Sequence, residues 1–222
     1  MFAVATSGRA QLLTANTLTA FDPTYSFNNG VQLTNFGATQ TFSNISSITD
    51  LTLRFVTEST TSFSTTSMSY AFGSWTGSSP GTPMDVGNFD IADSATWAAA
   101  GAYKYLDVTF DLSSVAGSLT PATTYGLSVF RNLAAADFRL AQAIGGDATY
   151  ADGTGYASPG GFSFGGLDPA SPINGDFAFQ GAITPVPEAS AVSVLFAGLF
   201  AGTMVFVRTR RRRVVESAPA CA

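Results

Sequence analysis

An uncharged apolar run near the C-terminus sets the strongest constraint on what this chain can fold into. Residues 191–207, AVSVLFAGLFAGTMVFV, contain no charged side chain. As a helix they would span about 26 Å, at roughly 1.5 Å per residue. A buried core helix is the alternative, but five arginines follow the run at once, which favours a transmembrane helix. These are Arg208, Arg210, Arg211, Arg212 and Arg213.

The arginines also predict the orientation of the chain. Because Lys and Arg resist translocation, we expect residues 208–213 and the tail 214–222 to stay in the cytoplasm, with the long body outside. Within the run, Gly198 and Gly202 have the GxxxG spacing that lets two helices approach closely. Small residues are common in membrane helices, so this spacing does not by itself predict a dimer.

A short polar motif precedes the apolar run. Val186, Pro187, Glu188, Ala189 and Ser190 stand directly before it. A motif, an apolar span and an Arg-rich end in this order resemble the PEP-CTERM sorting signal of Gram-negative bacteria. The resemblance covers residues 185–213, and Ala189 stands where the family most often has a second proline.

The resemblance implies an itinerary and a partner. Proteins with this signal are exported, held in the inner membrane, and processed by an exosortase-type enzyme associated with exopolysaccharide production. We therefore expect an exported chain, anchored with its body outside the cytoplasm and then placed at the cell surface or released. The sequence Asp176-Phe177-Ala178-Phe179 also resembles the segment that precedes the anchor in some members of the family.

The N-terminus fits this expectation in part. Residues 1–10 lack the basic start and long apolar core of a signal peptide. Gly8 and Ala10 nevertheless stand at the −3 and −1 positions of a cleavage after Ala10, as at the end of such a peptide. We expect that residues 1–10 are its remnant and that the true start lies upstream of Met1.

Charge and composition exclude several classes of function. The net charge is −5, and without the stretch after Thr184 five basic and thirteen acidic residues remain. Such a body has no basic patch for nucleic acid. The chain has no His, and its one Cys is Cys221, which excludes Cys–His catalysis, intrachain disulfides and ordinary zinc or copper sites.

The body, residues 11–184, has the two-residue periodicity of β-strands. Leu51, Leu53 and Phe55 alternate with more polar neighbours, as a half-buried strand requires. Gly, Pro, Ser and Asn clusters such as GSSPGTP separate the strands. The pattern predicts an all-β body, an antiparallel β-sandwich or jelly roll, with one C-terminal transmembrane helix. The predicted strands are ITDLTLRFVT, YLDVTFDL, TYGLSVFR and DFAFQGAI, with shorter ones in VQLTNF, TQTFSNI and MSYAF.

One short helix is predicted within the body, around ADSATWAAAG. Asp93 or Ser94 can cap its N-terminus.

Loop carboxylates are the candidates for chemistry. The pairs Asp90 with Asp93 and Asp147 with Asp152 can act as acid and base in glycoside cleavage, although loop Asp residues usually make Asx turns. Asp147 and Asp152 in GGDATYADGTG are also weak calcium candidates. No EF-hand spacing supports them, so we expect no obligatory cofactor.

Seven aromatic residues allow two interpretations. They can form a platform on which sugar rings stack, or they can fill the core and its rim. They are Tyr70, Trp75, Trp97, Tyr103, Tyr105, Tyr150 and Tyr156. Because the chain has no His, one Cys and no nucleophile motif, we expect a non-catalytic surface or matrix protein associated with extracellular polysaccharide. The alternative is an exported carbohydrate-active hydrolase or a carbohydrate-binding module.

Overall fold

The described part of the chain is mostly β, and its strands form two antiparallel sheets. The computed structural model describes residues 13–33, 36–131, 138–144, 150–159, 171–173 and 175–186. The elements in chain order are β1 (Leu13–Asn16), a 3₁₀ turn (Leu18–Ala20), α1 (Pro23–Asn29), β2 (Val31–Gln32), β3 (Phe36–Phe42), β4 (Ile45–Glu58), β5 (Thr66–Thr76), β6 (Ser79–Ile91), β7 (Ala98–Ala100), β8 (Tyr103–Asp111), a second 3₁₀ turn (Ser113–Val115), β9 (Thr124–Phe130), β10 (Arg139–Leu140), β11 (Gly155–Pro159), β12 (Ser171–Pro172) and β13 (Phe179–Pro185).

The long strand β4 organises the first sheet. Along one edge it pairs with β8, from Asp50 opposite Asp111 to Glu58 opposite Tyr103. Along the other edge it pairs first with β13 and then with β10. Strands β7, β1 and β2 lie outside β8, β13 and β10. The second sheet has the order β12-β11-β3-β9-β5-β6.

One hydrophobic cluster contains residues from both sheets. Phe42 of β3 and Phe179 of β13 meet edge to face, with ring centroids 5.3 Å apart. Both rings are fully buried, and burying such a side chain stabilises a fold by roughly 1.5–3 kcal/mol. Further members of this core are Leu51, Phe55, Phe72, Phe110 and Leu127.

The strands predicted from alternation are confirmed where the pattern was longest. ITDLTLRFVT lies in β4, YLDVTFDL overlaps β8, TYGLSVFR overlaps β9, and the end of DFAFQGAI lies in β13. In β8, Phe110 is buried while Asp107 and Thr109 are exposed. In β9, however, Ser128 is buried as well, because its hydroxyl bonds to Thr39 Oγ1 at 2.7 Å on the neighbouring strand.

The helix predicted around ADSATWAAAG is wrong. Ala98–Ala100 instead forms β7, which pairs with the start of β8 through a turn at Gly101, whose φ is +66°. Asp93 binds the Lys104 ammonium at 2.6 Å and caps no helix. The pairing of β7 with β8 outweighs the helix preference of the alanines.

A second error concerns GSSPGTP, which we predicted as a separator between strands. Its residues from Ser79 onward begin β6, the edge strand that pairs with β5. The prolines are tolerated because an edge strand leaves one row of N–H groups unpaired. At Gly73 of β5 a side chain would meet the backbone of Thr82 and Pro83, so the strands approach closely there.

A short helix that we did not predict precedes β2. Asp22 Oδ1 accepts a hydrogen bond from the Tyr25 N–H at 2.8 Å, and Pro23 takes the first helical position. Asp followed by Pro is a helix-start signal that the sequence does contain. The helix packs Phe27 against Tyr103, with centroids 5.0 Å apart.

The described residues contain no helix long and apolar enough to cross a membrane. The predicted span, residues 191–207, and the arginines of residues 208–213 lie outside them.

Candidate functional site

Several loops meet at one end of the second sheet and form an open polar cleft of about 390 Å³. The β3–β4 turn, the β5–β6 turn, the start of β9 and the chain before β11 supply its walls. Its lining includes the side chains of Thr41, Ser43, Asn44, Trp75, Asp152 and Tyr156. The register brings these elements together, since Trp75 of β5 lies opposite Thr124 of β9.

Residues 150–154, here called the strap, form one wall of the cleft. The Ser43 N–H donates to Asp152 O at 2.5 Å, and the Thr41 N–H donates to Thr154 O at 3.0 Å. The Thr41 hydroxyl bonds to both the N–H and the carbonyl of Thr154 at 2.9 Å. Gly153 has no room for a side chain, because a Cβ there would collide with Thr41 O. The strap is therefore fixed to β3.

A buried carboxylate holds the strap from behind. Asp176 is 3% exposed. Its Oδ2 accepts from the Tyr150 N–H at 2.5 Å and its Oδ1 from Gln40 Nε2 at 2.7 Å. Gln40 Oε1 accepts from the Phe177 N–H at 3.0 Å, so the amide orientation of Gln40 is determined. These two donors, the Gln40 amide and the Tyr150 backbone N–H, are neutral.

Burial dominates the electrostatics behind the cleft. It raises the pKa of Asp176, and the hydrogen bonds from Gln40 and Tyr150 oppose this in part. Burial also raises the pKa of Tyr150 to about 12, with further contributions from Asp152 and Asp176. The Tyr150 phenol is therefore uncharged at neutral pH. Its ring packs 5.8 Å from Phe42 and 5.7 Å from Phe179.

Hydrogen bonds within the cleft position its polar side chains. Asn44 Nδ2 donates to Asp152 Oδ1 at 3.1 Å, and the hydroxyls of Ser43 and Thr124 lie 2.9 Å apart. Trp75 is 6% exposed. Its indole N–H donates to Gly77 O at 2.9 Å, which fixes the ring. This arrangement presents hydroxyl, amide and carboxylate groups to a ligand.

The predicted aromatic platform is divided among several places. Trp75 and Tyr156 meet at the cleft, with centroids 5.1 Å apart. The other five pack against different neighbours: Tyr70 against Phe110, Trp97 against Phe63, Tyr103 against Phe27, Tyr105 against Phe21, and Tyr150 against Phe42. Most of the set therefore contributes to packing.

The carboxylates of the two predicted pairs lie in different surroundings. Asp90 is exposed on β6, opposite Ser67, and Asp93 is engaged by Lys104. Asp152 lies in the strap, while its predicted partner Asp147 is outside the described residues. Within the ranges that the structure describes, no three acidic, His or Cys side chains gather as metal ligands.

The predicted sorting motif begins at the last described residue. Val186 follows β13, and its N–H donates to Asn44 O at 2.7 Å. Pro187, Glu188, Ala189 and Ser190 lie outside the described residues.

Sequence reasoning missed Asn44 and Gln40, two residues that organise this region. Asn44 has a φ of +56° in the β3–β4 turn, a conformation that Asn adopts more readily than most residues. An Asn between two apolar strands is a signal that could have identified it. Gln40 gives no such signal, since its role depends on Asp176, which lies far along the chain.

Comparison of the chain with protein-family models, curated proteins and solved structures found no match.

Proposed function

We propose that this chain is an exported, non-catalytic surface or extracellular-matrix protein sorted through a PEP-CTERM-like signal. The observation that carries the proposal is the order of residues 186–190, 191–207 and 208–213: motif, uncharged span, arginine cluster. The end of the described domain supports it, because β13 ends at Pro185, directly before the motif. Processing beyond the motif would leave every described strand in place.

The sorting step is tested by the mass of the mature protein. In a host that carries an exosortase, we expect the wild type to lose residues 208–213 and Glu188→Gln to keep them. The substitution removes the charge beside the span while preserving the side-chain shape. If both proteins keep the arginines, the segment is only an anchor and the sorting proposal fails.

The orientation is tested by reporter fusions. A reporter that is active only in the periplasm should work when fused before Val186 and fail when fused after Arg213, because arginines resist translocation. The opposite pattern would refute the topology.

We also propose that the two sheets pack as a β-sandwich. The shared hydrophobic core supports this arrangement. So does Tyr125, whose hydroxyl accepts from the Thr120 N–H at 2.6 Å, a contact similar to the tyrosine corner of sandwich domains. Residues 11–186, which include all of β13, should be soluble, β-rich by circular dichroism and cooperatively folded. A mostly helical or disordered spectrum would contradict this.

The non-catalytic part of the proposal is supported by the state of the carboxylates. Asp93 is paired with Lys104, and Asp107 is paired with Arg54. Asp152 is the one acidic side chain in the described lining of the cleft. A hydrolase with two carboxylates is the alternative. A glycan panel scored for both retention and product formation separates the two, since only the hydrolase releases product.

A further inference from the structure

We propose that the cleft beside the strap binds a neutral saccharide, one or two pyranose units of a longer glycan. This inference rests on the proposed function, for which it supplies a ligand class and a site.

Charge in the cleft selects against anionic ligands. Among the described residues of the lining, Asp152 is the one carboxylate and there is no Lys or Arg. A phosphate, sulfate or uronate would therefore meet a negative charge with no described cation to balance it. An uncharged polar ligand meets no such repulsion.

The hydrogen-bonding groups match adjacent hydroxyls. Asp152 Oδ1 accepts from Asn44, and none of the described residues donates to Oδ2. The hydroxyls of Ser43 and Thr124 bond to each other, and each keeps further donor or acceptor capacity. A carboxylate accepts strong hydrogen bonds from hydroxyl groups, and a pyranose offers several side by side.

The cleft also has one partly exposed aromatic side chain, that of Tyr156, and a suitable size. Tyr156 is half-buried and rests against Trp75, and an aromatic surface can pack against the C–H face of a sugar ring. The volume of about 390 Å³ lies within the usual range of ligand sites, roughly 300–1,000 Å³. The open shape allows a longer glycan to pass through.

The walls are already ordered, which favours binding. The strap is tied to Thr41 and Ser43 through its backbone, and the Trp75 ring is tied to Gly77 O. A ligand would therefore lose little affinity to ordering of the protein.

The test is retention of the full chain on an array of immobilised oligosaccharides. The neutral members are β-glucans, α-glucans, mannans, galactans and xylans, and uronate and sulfated glycans represent the anionic class. The chain is held in a zwitterionic detergent, since a glycosidic detergent would itself supply sugar. We expect retention on at least one neutral glycan and a loss of about tenfold or more in Asp152→Ala and Tyr156→Ala. Asp90→Ala, exposed on β6, is the matched control and should bind as the wild type does.

Each outcome decides the proposal. Retention on no neutral glycan, retention on anionic glycans alone, or retention that both cleft variants preserve would overturn it. If Asp152→Ala fails to fold by circular dichroism, Asp152→Asn replaces it, because Asn keeps an acceptor for Asn44. A chain that keeps residues 208–213 but binds a neutral glycan would refute the sorting proposal alone. A chain that is processed but binds no neutral glycan would refute the saccharide-binding proposal alone.

Discussion

Two buried charges in this protein are accommodated in opposite ways. Arg54 on β4, 9% exposed, forms two hydrogen bonds of 2.7 Å to the Asp107 carboxylate. Its guanidinium carbon lies 4.0 Å from the ring centroid of Tyr105 and 4.7 Å from that of Phe21. Asp176, which is more deeply buried, receives hydrogen bonds only from neutral groups among the described residues.

Arg54 forms a structural contact, whereas Asp176 is a group that can respond to pH. Arg54 joins β4 to β8 and holds the segment of Leu18 and Phe21 against the sheet. Its charge is matched by the Asp107 carboxylate. Asp176 holds the strap behind the cleft, and no described residue supplies it with a matching charge. Burial therefore disfavours its ionisation.

The largest loss of stability is expected when the Arg54–Asp107 ion pair is broken. Asp107→Ala should lower the free energy of unfolding by about 3 kcal/mol, because it leaves the Arg54 charge buried without a partner. Arg54→Met should cost about half as much, since Asp107, at 34% side-chain exposure, can be hydrated. Urea unfolding followed by tryptophan fluorescence measures both. If Arg54→Met lost more unfolding free energy than Asp107→Ala, Arg54 would not be the more costly charge to leave without a partner.

The second-largest loss of stability is expected when the buried Asp176 carboxylate is replaced. Asp176→Asn should lower the free energy of unfolding by about 2 kcal/mol, because the new amide NH₂ faces either Gln40 Nε2 or the Tyr150 N–H, both of which are donors. The control is Asp90→Asn on the exposed edge strand, with an expected change below about 0.5 kcal/mol. Equal effects in the two variants would show that the hydrogen bonds of Asp176 contribute nothing.

A smaller effect concerns the attachment of the strap. Thr41→Val keeps the shape of the side chain but removes the hydroxyl that bonds to Thr154. We expect a loss of about 1 kcal/mol in unfolding free energy and a faster exchange of the Thr154 amide proton. Thr96→Val, at an exposed position outside the strap, should change neither. An unchanged exchange rate at Thr154 would show that the backbone bonds alone hold the strap.

The smallest effect is a pH dependence. Burial raises the pKa of Asp176 in the folded state above its unfolded value of about 3.9, so folding favours the protonated form. The stability that this group contributes is complete below about pH 3.9 and is lost as the pH rises through the folded pKa. The unfolding free energy of the wild type should therefore fall with rising pH relative to Asp176→Asn.

Subtraction of the two curves isolates Asp176. Asp111, whose pKa is lowered by hydrogen bonds from Ser113, has the opposite pH dependence, but it is present in both proteins and cancels. A flat difference, or a wild type that gains stability with rising pH, would contradict the burial argument.

Prediction from sequence succeeded where local pattern and final environment agree. In the second half of β8, Phe110 is buried while Asp107 and Thr109 are exposed, as the two-residue period of a strand predicts. In β4 the pattern predicted the strand but not its burial, because Leu53 to Thr57 are buried on both faces. It failed for Ala98–Ala100, where a helix-favouring composition is overruled by pairing with Tyr103–Tyr105. It also failed for β6, whose Gly and Pro residues indicate a loop and whose pairing with β5 makes it an edge strand.

For the candidate site, the sequence indicated single residues but not their proximity. Asp152, Trp75 and Tyr156 could be named from the sequence as polar or aromatic candidates, but not as neighbours. Their meeting depends on the register of β3, β5, β9 and β11, and Asn44 enters only through the turn that follows β3.

The sequence by itself determined the charge of the body, the lack of His, the places of the long strands β4, β8 and β9, and the order of features at the C-terminus. These are local properties of composition and period, which no partner strand can change. Only the tertiary structure decided that Asp176 is buried behind the strap and that the cleft forms beside it. The physical reason is that the hydrogen bonds of Asp176 join distant parts of the chain, since Gln40 lies 136 residues from it and Tyr150 lies 26 residues from it.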